Sequence, residues 1–155
     1  MKELRISQLT LEDVPSFSSL LQRDPIEYRQ HFIPFSGDSE GLTRLLSYAV
    51  RDQYWGIFCG ETLAGFFMLR GFDEGYERPS FGVYIARDFA NRGFSRLALD
   101  YSICWCRTND VSAMMLKVHP ENTYARRAYE KAGFRFLEVC PRTRHLIMEL
   151  SWEPL

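Results

Sequence analysis

SFGVYIARDFANRGFSRLALDYSICWCRTNDVSAMMLKVH, residues 80–119, carries the pattern of a strand, a helix and a second strand. Its first seven residues, 80–86, form an apolar run of strand length. Phe94, Leu97, Ala98, Tyr101 and Cys104 then recur at helical spacing to about Arg107, and AMMLKVH at 113–119 is a second, mostly apolar strand. Strand, helix and strand in that order make two parallel strands with a right-handed crossover. Ligands of such units gather beyond the carboxyl end of the first strand, here residues 86–95. That turn, RDFANRGF, places consecutive backbone N–H groups at a helix N-terminus, where unpaired donors and the positive end of the helix dipole suit a phosphate or pyrophosphate. Gly93 lets a ligand approach the main chain, and Arg92 adds a charged donor. A plain strand-to-helix turn with one glycine satisfies the same pattern, so this segment alone leaves both readings open.

Residues 3–9 alternate as a short strand, and Thr10 with Asp13 makes a capping-box-like start for a helix carrying Leu11, Val14, Phe17, Leu20 and Leu21. A loop with Pro25 and Pro34 follows. Leu42, Leu45, Leu46 and Ala49 then line one face of a second helix. YWGIFC at 54–59 and TLAGFFMLR at 62–70 are strands joined by Gly60-Glu61, a pair suited to a two-residue hairpin with glycine first. GFDEGYERP at 71–79 breaks the pattern. Asn122 caps a helix to Ala132 that Gly133 stops, and strands at 134–139 and 144–152 close the chain. In the last strand Leu146, Met148, Leu150 and Trp152 alternate, which suits either a core face or an edge strand that pairs a homodimer.

The 155 residues, 46% apolar and 25% charged, predict one globular domain over 1–155. A net charge of −1 supplies no broad positive field for a nucleic-acid backbone. No apolar stretch approaches the length of a membrane span, and the first residues lack a signal-peptide core, so a cytoplasmic location is expected. Cys59, Cys104, Cys106 and Cys140 lack metal-knuckle or redox spacing; free thiols and no metal site are expected.

VHPENTYARRAYEKAGF at 118–134 makes the reading specific. Asn122, Ala125, Ala128, Tyr129, Glu130, Lys131, Gly133 and Phe134 resemble the signature of the GNAT superfamily of acetyl-CoA-dependent N-acetyltransferases. The earlier turn is similar to that family's pyrophosphate loop, read as Ala90, Asn91, Arg92, Gly93, Phe94 and Ser95. Ala90 replaces the usual Gln or Arg, and Ser95 the second small residue. The order of elements matches the family along the whole chain. The resemblance implies an α/β (α+β) fold with a mixed, largely antiparallel sheet of about seven strands, flanked by about four helices. A central splay between 80–86 and 113–119 would hold the pantetheine arm of acetyl-CoA. Backbone groups near Val83, Tyr84 and Ile85 would pair with that arm as an added strand, with Asn122 and Tyr129 also near the cofactor.

Acetyl transfer to a primary amine needs a neutral nitrogen, a polarised thioester carbonyl and a proton for the departing thiolate. The resemblance gives Tyr129 the proton-donor role; packing on the core is the alternative. A backbone N–H, that of Ile85, would meet the oxyanion. The strand before the loop has no glutamate, which leaves Asp73, Glu74 and Glu77 as a base acting through water, as attraction for a cation, or as solvated loop acids. His119 suits proton transfer near neutral pH or a structural role. Acceptor contacts are expected from 22–40 and 71–79, with Tyr28, His31, Phe32, Phe35, Asp38, Asp73, Glu74 and Tyr76. Aromatics mixed with acids suit a small polar amine such as an amino sugar, or a protein N-terminus of the ribosomal-protein type. The departures at Ala90 and Ser95 keep open a non-catalytic acyl-CoA-binding module.

Overall fold

Among the described residues, seven strands form one sheet in the order β1-β2-β3-β4-β5-β7-β6. They are β1 (Leu4–Gln8), β2 (Gln53–Cys59), β3 (Thr62–Arg70), β4 (Ser80–Ile85), β5 (Ala113–Val118), β6 (Arg135–Val139) and β7 (Leu146–Ser151). The helices are α1 (Val14–Arg23), α2 (Ile26–Arg29), α3 (Ser39–Tyr48), α4 (Phe94–Thr108) and α5 (Thr123–Lys131). The computed structural model describes residues 1–29 and 34–153. All neighbouring strands pair antiparallel except β4 with β5, which run parallel.

Local chemistry explains most boundaries. Thr10 N–H donates to Asp13 Oδ2 at 2.8 Å, closing the capping-box turn before α1. Asp38 Oδ1 accepts from Gly41 N–H at 2.7 Å and starts α3; Asn122 Oδ1 accepts from Ala125 N–H at 3.1 Å and starts α5. Gly60 carries φ +59 at the first position of the β2–β3 hairpin, the conformation a glycine-first turn requires. The sequence predicts about four helices; the fifth is α2, a four-residue turn in the segment read as loop.

Side chains alternate along β4 and feed two cores. Tyr84 and Ala86 join Phe17, Leu20, Leu21, Leu42 and Phe66 beneath α1 and α3. Phe81 and Ile85 join Ala98, Leu99 and Cys106 of α4 with Met114, Leu116 and Met148 on the opposite face. Burial pushes the Cys106 thiol up to about 12, so it behaves as a small apolar group.

The expected splay is present. β4 and β5 share the single registered pair Ser80↔Met115, supported by Met115 N–H donating to Pro79 O at 2.9 Å. Beyond Ser80 the strands part toward their carboxyl ends. The expectation of an edge strand at 144–152 is corrected: β7 lies between β5 and β6, and β6 is the edge. The reason is burial. β7 carries the buried Ile147 and Met148, whereas all five residues of β6 are exposed, so β7 takes the interior position.

Candidate active site

The open side of β4 supplies main-chain groups. Ala86 N–H donates to Ala64 O of β3 at 2.8 Å, while Pro79 O faces β5. Main-chain groups alternate sides along a strand. Even-numbered residues of β4 therefore bond β3, and Phe81, Val83 and Ile85 turn their N–H and C=O toward the gap. Tyr84 does not: its main chain lies opposite Phe66 of β3 and its ring is buried beneath α1. Of the three residues expected at this edge, Val83 and Ile85 occupy it.

The turn after β4 is shaped by two residues of positive φ, Asn91 (+61) and Gly93 (+87). Leu97 N–H donates to Gly93 O at 3.0 Å as the first helical bond of α4, leaving the N–H groups of Phe94, Ser95 and Arg96 ahead of the ladder. No side chain caps this end, unlike α3 and α5, and no acid lies in its first turn, unlike α3. A Cβ built at Gly93 meets nothing within 4 Å, so the space beside this residue is open. Arg92 lies over the Phe89 ring, 5.5 Å from its centroid, and adds positive charge. Ala90 is extended and contributes no polar side chain. This cradle fits a diphosphate, and the β4 edge fits an amide-bearing arm; together they match coenzyme A.

Tyr129, in the last turn of α5, packs edge-on against Phe134 with centroids 5.6 Å apart. It is half-buried, and desolvation pushes its phenol up to about 12, so the hydroxyl keeps its proton through neutral pH. His119 follows β5, and its Nδ1 accepts from Glu121 N–H at 3.1 Å. Its ring meets His145 with centroids 5.4 Å apart. Asn122 spends its carboxamide oxygen on the α5 cap.

The acids at 71–79 stand elsewhere. Asp73, Glu74 and Glu77 precede β4, separated from Ile85 by the strand's length, about 17 Å at 3.3 Å per residue. Asp73 accepts from the N–H groups of Val50, Arg51 and Asp52 at 3.1, 2.7 and 3.2 Å, bonds that hold its carboxyl below the usual range, the one from Arg51 most. Glu74, Tyr76 and Glu77 are exposed at that same end. These residues are not brought to the gap. Phe35 packs among Phe17, Tyr54 and Phe66, and Asp38 is a helix cap. His31 and Phe32 lie outside the described residues.

Tyr28 is brought to the gap: its hydroxyl donates to Ile85 O at 2.9 Å. Beside it stands Asp24, which the sequence reading missed. Asp24 is 8% exposed; its Oδ2 accepts from the Tyr84 hydroxyl and, at 3.0 Å, from Arg87 N–H. Burial and the Asp24 charge raise the Tyr28 phenol, and burial with the Tyr84–Asp24 bond raises Tyr84. An acid between a helix end and Pro25 was the signal available, and it is a faint one.

The comparisons agree with this geometry. Residues 3–135 match the family model described as an acetyltransferase (GNAT) domain. Similar solved structures include the PaiA N-acetyltransferase of Thermoplasma acidophilum in complex with coenzyme A, with TM-score 0.79 and 17% identity over 97% of this chain and 99% of that one. The ribosomal-protein-S18-alanine N-acetyltransferase of Escherichia coli gives TM-score 0.74 and 20% identity over 96% and 94%. The ribosomal-protein-S5-alanine acetyltransferase of Vibrio fischeri gives 0.79 and 13% over 99% and 100%. Curated proteins give no significant sequence match. Among the described residues no group of three or more His, Cys, Asp or Glu side chains is placed to hold a metal, and no helix is long and apolar enough to cross a membrane. With its family model, splayed sheet and uncapped α4 turn, the chain belongs to the GNAT acetyltransferases, acyltransferases whose acetyl donor is acetyl-CoA.

Proposed function

We propose that this enzyme transfers the acetyl group to a primary amine by direct attack of the amine nitrogen, with Tyr129 as the proton donor to the departing sulfur. The observation that carries this reading is Tyr129 itself, a phenol held protonated to about 12 on the helix that follows β5. Acetyl-CoA supplies the thioester. The N–H groups of Phe94, Ser95 and Arg96 with Arg92 bind its diphosphate, and Val83 and Ile85 pair with its pantetheine arm. Ile85 N–H meets the carbonyl oxygen as negative charge develops there. Tyr129 gives its proton to the sulfur as the C–S bond breaks and recovers one from the newly acylated nitrogen.

The acceptor in this reading is a small polar amine, an amino sugar being one type, which Tyr28 contacts through its ring. A protein N-terminus is the second reading, favoured by the two structural neighbours named as ribosomal-protein alanine acetyltransferases. Four free cysteines suit a reducing, cytoplasmic setting.

Thermal unfolding with acetyl-CoA, followed by thiol release over a panel of amino sugars, alkyl amines and alanine-initiated peptides, tests both readings. Acetyl-CoA at about 100 times its dissociation constant stabilises the fold by roughly 2.7 kcal/mol. No stabilisation at saturation refutes the cofactor site; turnover of peptides alone replaces the first reading with the second.

A further inference from the structure

Asp24 has more carboxylate than its hydrogen bonds use. The Tyr84 hydroxyl and Arg87 N–H both go to Oδ2. Among the described residues no donor bonds Oδ1, and none of their buried side-chain N or O atoms is without a partner. Oδ1 therefore reaches solvent, although the residue as a whole is only 8% exposed. A carboxylate this deep, with one oxygen fixed and the other open, is a site for a cation.

Its surroundings agree. Tyr28 and Tyr84 meet edge to face with centroids 5.9 Å apart, and both phenols feel the Asp24 charge. Aromatic rings beside a carboxylate are the surface an alkylammonium prefers. Two cations also face this corner. Arg29 of α2 spends Nε on Asp24 O at 3.0 Å and an Nη on Leu21 O at 3.2 Å, the last carbonyls of α1, where the negative end of the helix dipole holds it. Arg87 of the turn after β4 is exposed and acts on Tyr28 through its charge. No guanidinium among the described residues pairs with the Asp24 carboxylate within salt-bridge distance.

Position links the carboxylate to the reaction. Asp24 Oδ2 lies 3.0 Å from Arg87 N, and Arg87 N is two residues from Ile85, at most about 7 Å of chain. We propose that Asp24, with the Tyr28 ring beside it, receives the protonated amino group of the acceptor and sets it beside the carboxyl end of β4, so that acceptors are selected as ammonium ions. The inference rests on the acetyl-transfer reading and adds to it the charge state of the substrate that binds. The bound ammonium sheds one proton to water before attack, and the neutral nitrogen then proceeds as above.

The experiment compares benzylamine, a cation at neutral pH, with its neutral isostere benzyl alcohol. Each is titrated by calorimetry into wild type and Asp24→Asn, with and without saturating acetyl-CoA. Asparagine keeps an acceptor for Tyr84 and Arg87. Expected are a preference of about tenfold or more for benzylamine in wild type, the scale of one charge-assisted hydrogen bond, its loss in Asp24→Asn, and equal stabilisation of both proteins by acetyl-CoA. In turnover the wild-type advantage in kcat/KM shrinks as pH rises through the pKa of benzylamine, whereas aniline, neutral at pH 7, is used equally by both. A merely structural Asp24 gives losses independent of pH and of amine charge. A wild type that binds benzylamine no better than benzyl alcohol, or a preference that survives in Asp24→Asn, overturns the proposal. The wild-type comparison decides it even where the variant does not fold. Absence of stabilisation by acetyl-CoA instead refutes the cofactor reading, independently of the cation preference.

Discussion

Arg78, just before β4, forms an ion pair with Glu149 of β7 across the closed end of the splay. The same guanidinium lies 3.6 Å from Met115 Sδ, and Arg135 of β6 reaches the other Glu149 oxygen at 3.7 Å. Main-chain pairing between the two halves of the sheet rests on Ser80 and Met115, so this side-chain bridge carries part of the junction. Glu149 and Arg78 are both only partly buried, which limits the worth of the pair. Glu149→Gln should lower stability by about 1–2 kcal/mol and also weaken acetyl-CoA binding, because the angle of the gap changes. Urea unfolding and cofactor titration check this; lost stability with unchanged affinity would show that the bridge does not set the gap.

Tyr129→Phe should lower kcat by roughly 10²- to 10⁴-fold, the range for a positioned proton donor, and leave acetyl-CoA affinity within about twofold, since a hydroxyl not bonded to the cofactor in the ground state adds little binding. Full turnover would reduce Tyr129 to a packing residue.

The pH dependence follows from the same group. Burial raises the Tyr129 phenol to about 12, so its donor form persists below that pH and is lost above it. A kcat profile should show no alkaline fall before about pH 10, the pKa of a free tyrosine. The linked stability has the same sign: it is complete below the unfolded value and is lost as pH rises through 10 toward 12. An alkaline limb near neutrality that disappears in Tyr129→Phe would contradict this.

Gly93 sits at φ +87, with open space where a Cβ would stand. Gly93→Val therefore meets no protein atom there. It costs about 1–2 kcal/mol from the left-handed backbone alone, and more for a β-branched residue, and it puts a side chain into the diphosphate cradle. Acetyl-CoA affinity should fall by more than stability does. Equal loss in both measurements would leave the cradle without support.

Gly65 is the opposite case. A Cβ there would come within 2.7 Å of Tyr84 O and 2.6 Å of Ile85 Cδ1. Gly65→Ala must push β4 outward at Ile85, the residue whose amide is proposed to meet the thioester, with about 1–3 kcal/mol of destabilisation and a kcat loss that exceeds the loss in cofactor affinity. A variant crystal with Ile85 unmoved would refute the mechanism of that effect.

Helical stripes, apolar strand runs and turn glycines were readable without neighbours because they are local periodicities, and they set the order of elements and the position of the turn around Gly93. The residues from Asn122 to Phe134 carried the family resemblance, since a capped helix and its tyrosine lie within one continuous segment. Which strand takes the sheet edge was not local: β7 displaced β6 from the interior because Ile147 and Met148 needed burial. Nor was the fate of the acids. Asp73 and Glu77 are near β4 in sequence, but an extended strand carries them to its far end, whereas Asp24, sixty residues before Tyr84, is folded against it. Local periodicity set the elements and the glycine turn before α4; strand direction and helix packing, not spacing along the chain, brought Asp24 rather than Asp73 or Glu77 against Tyr84 and the start of that turn.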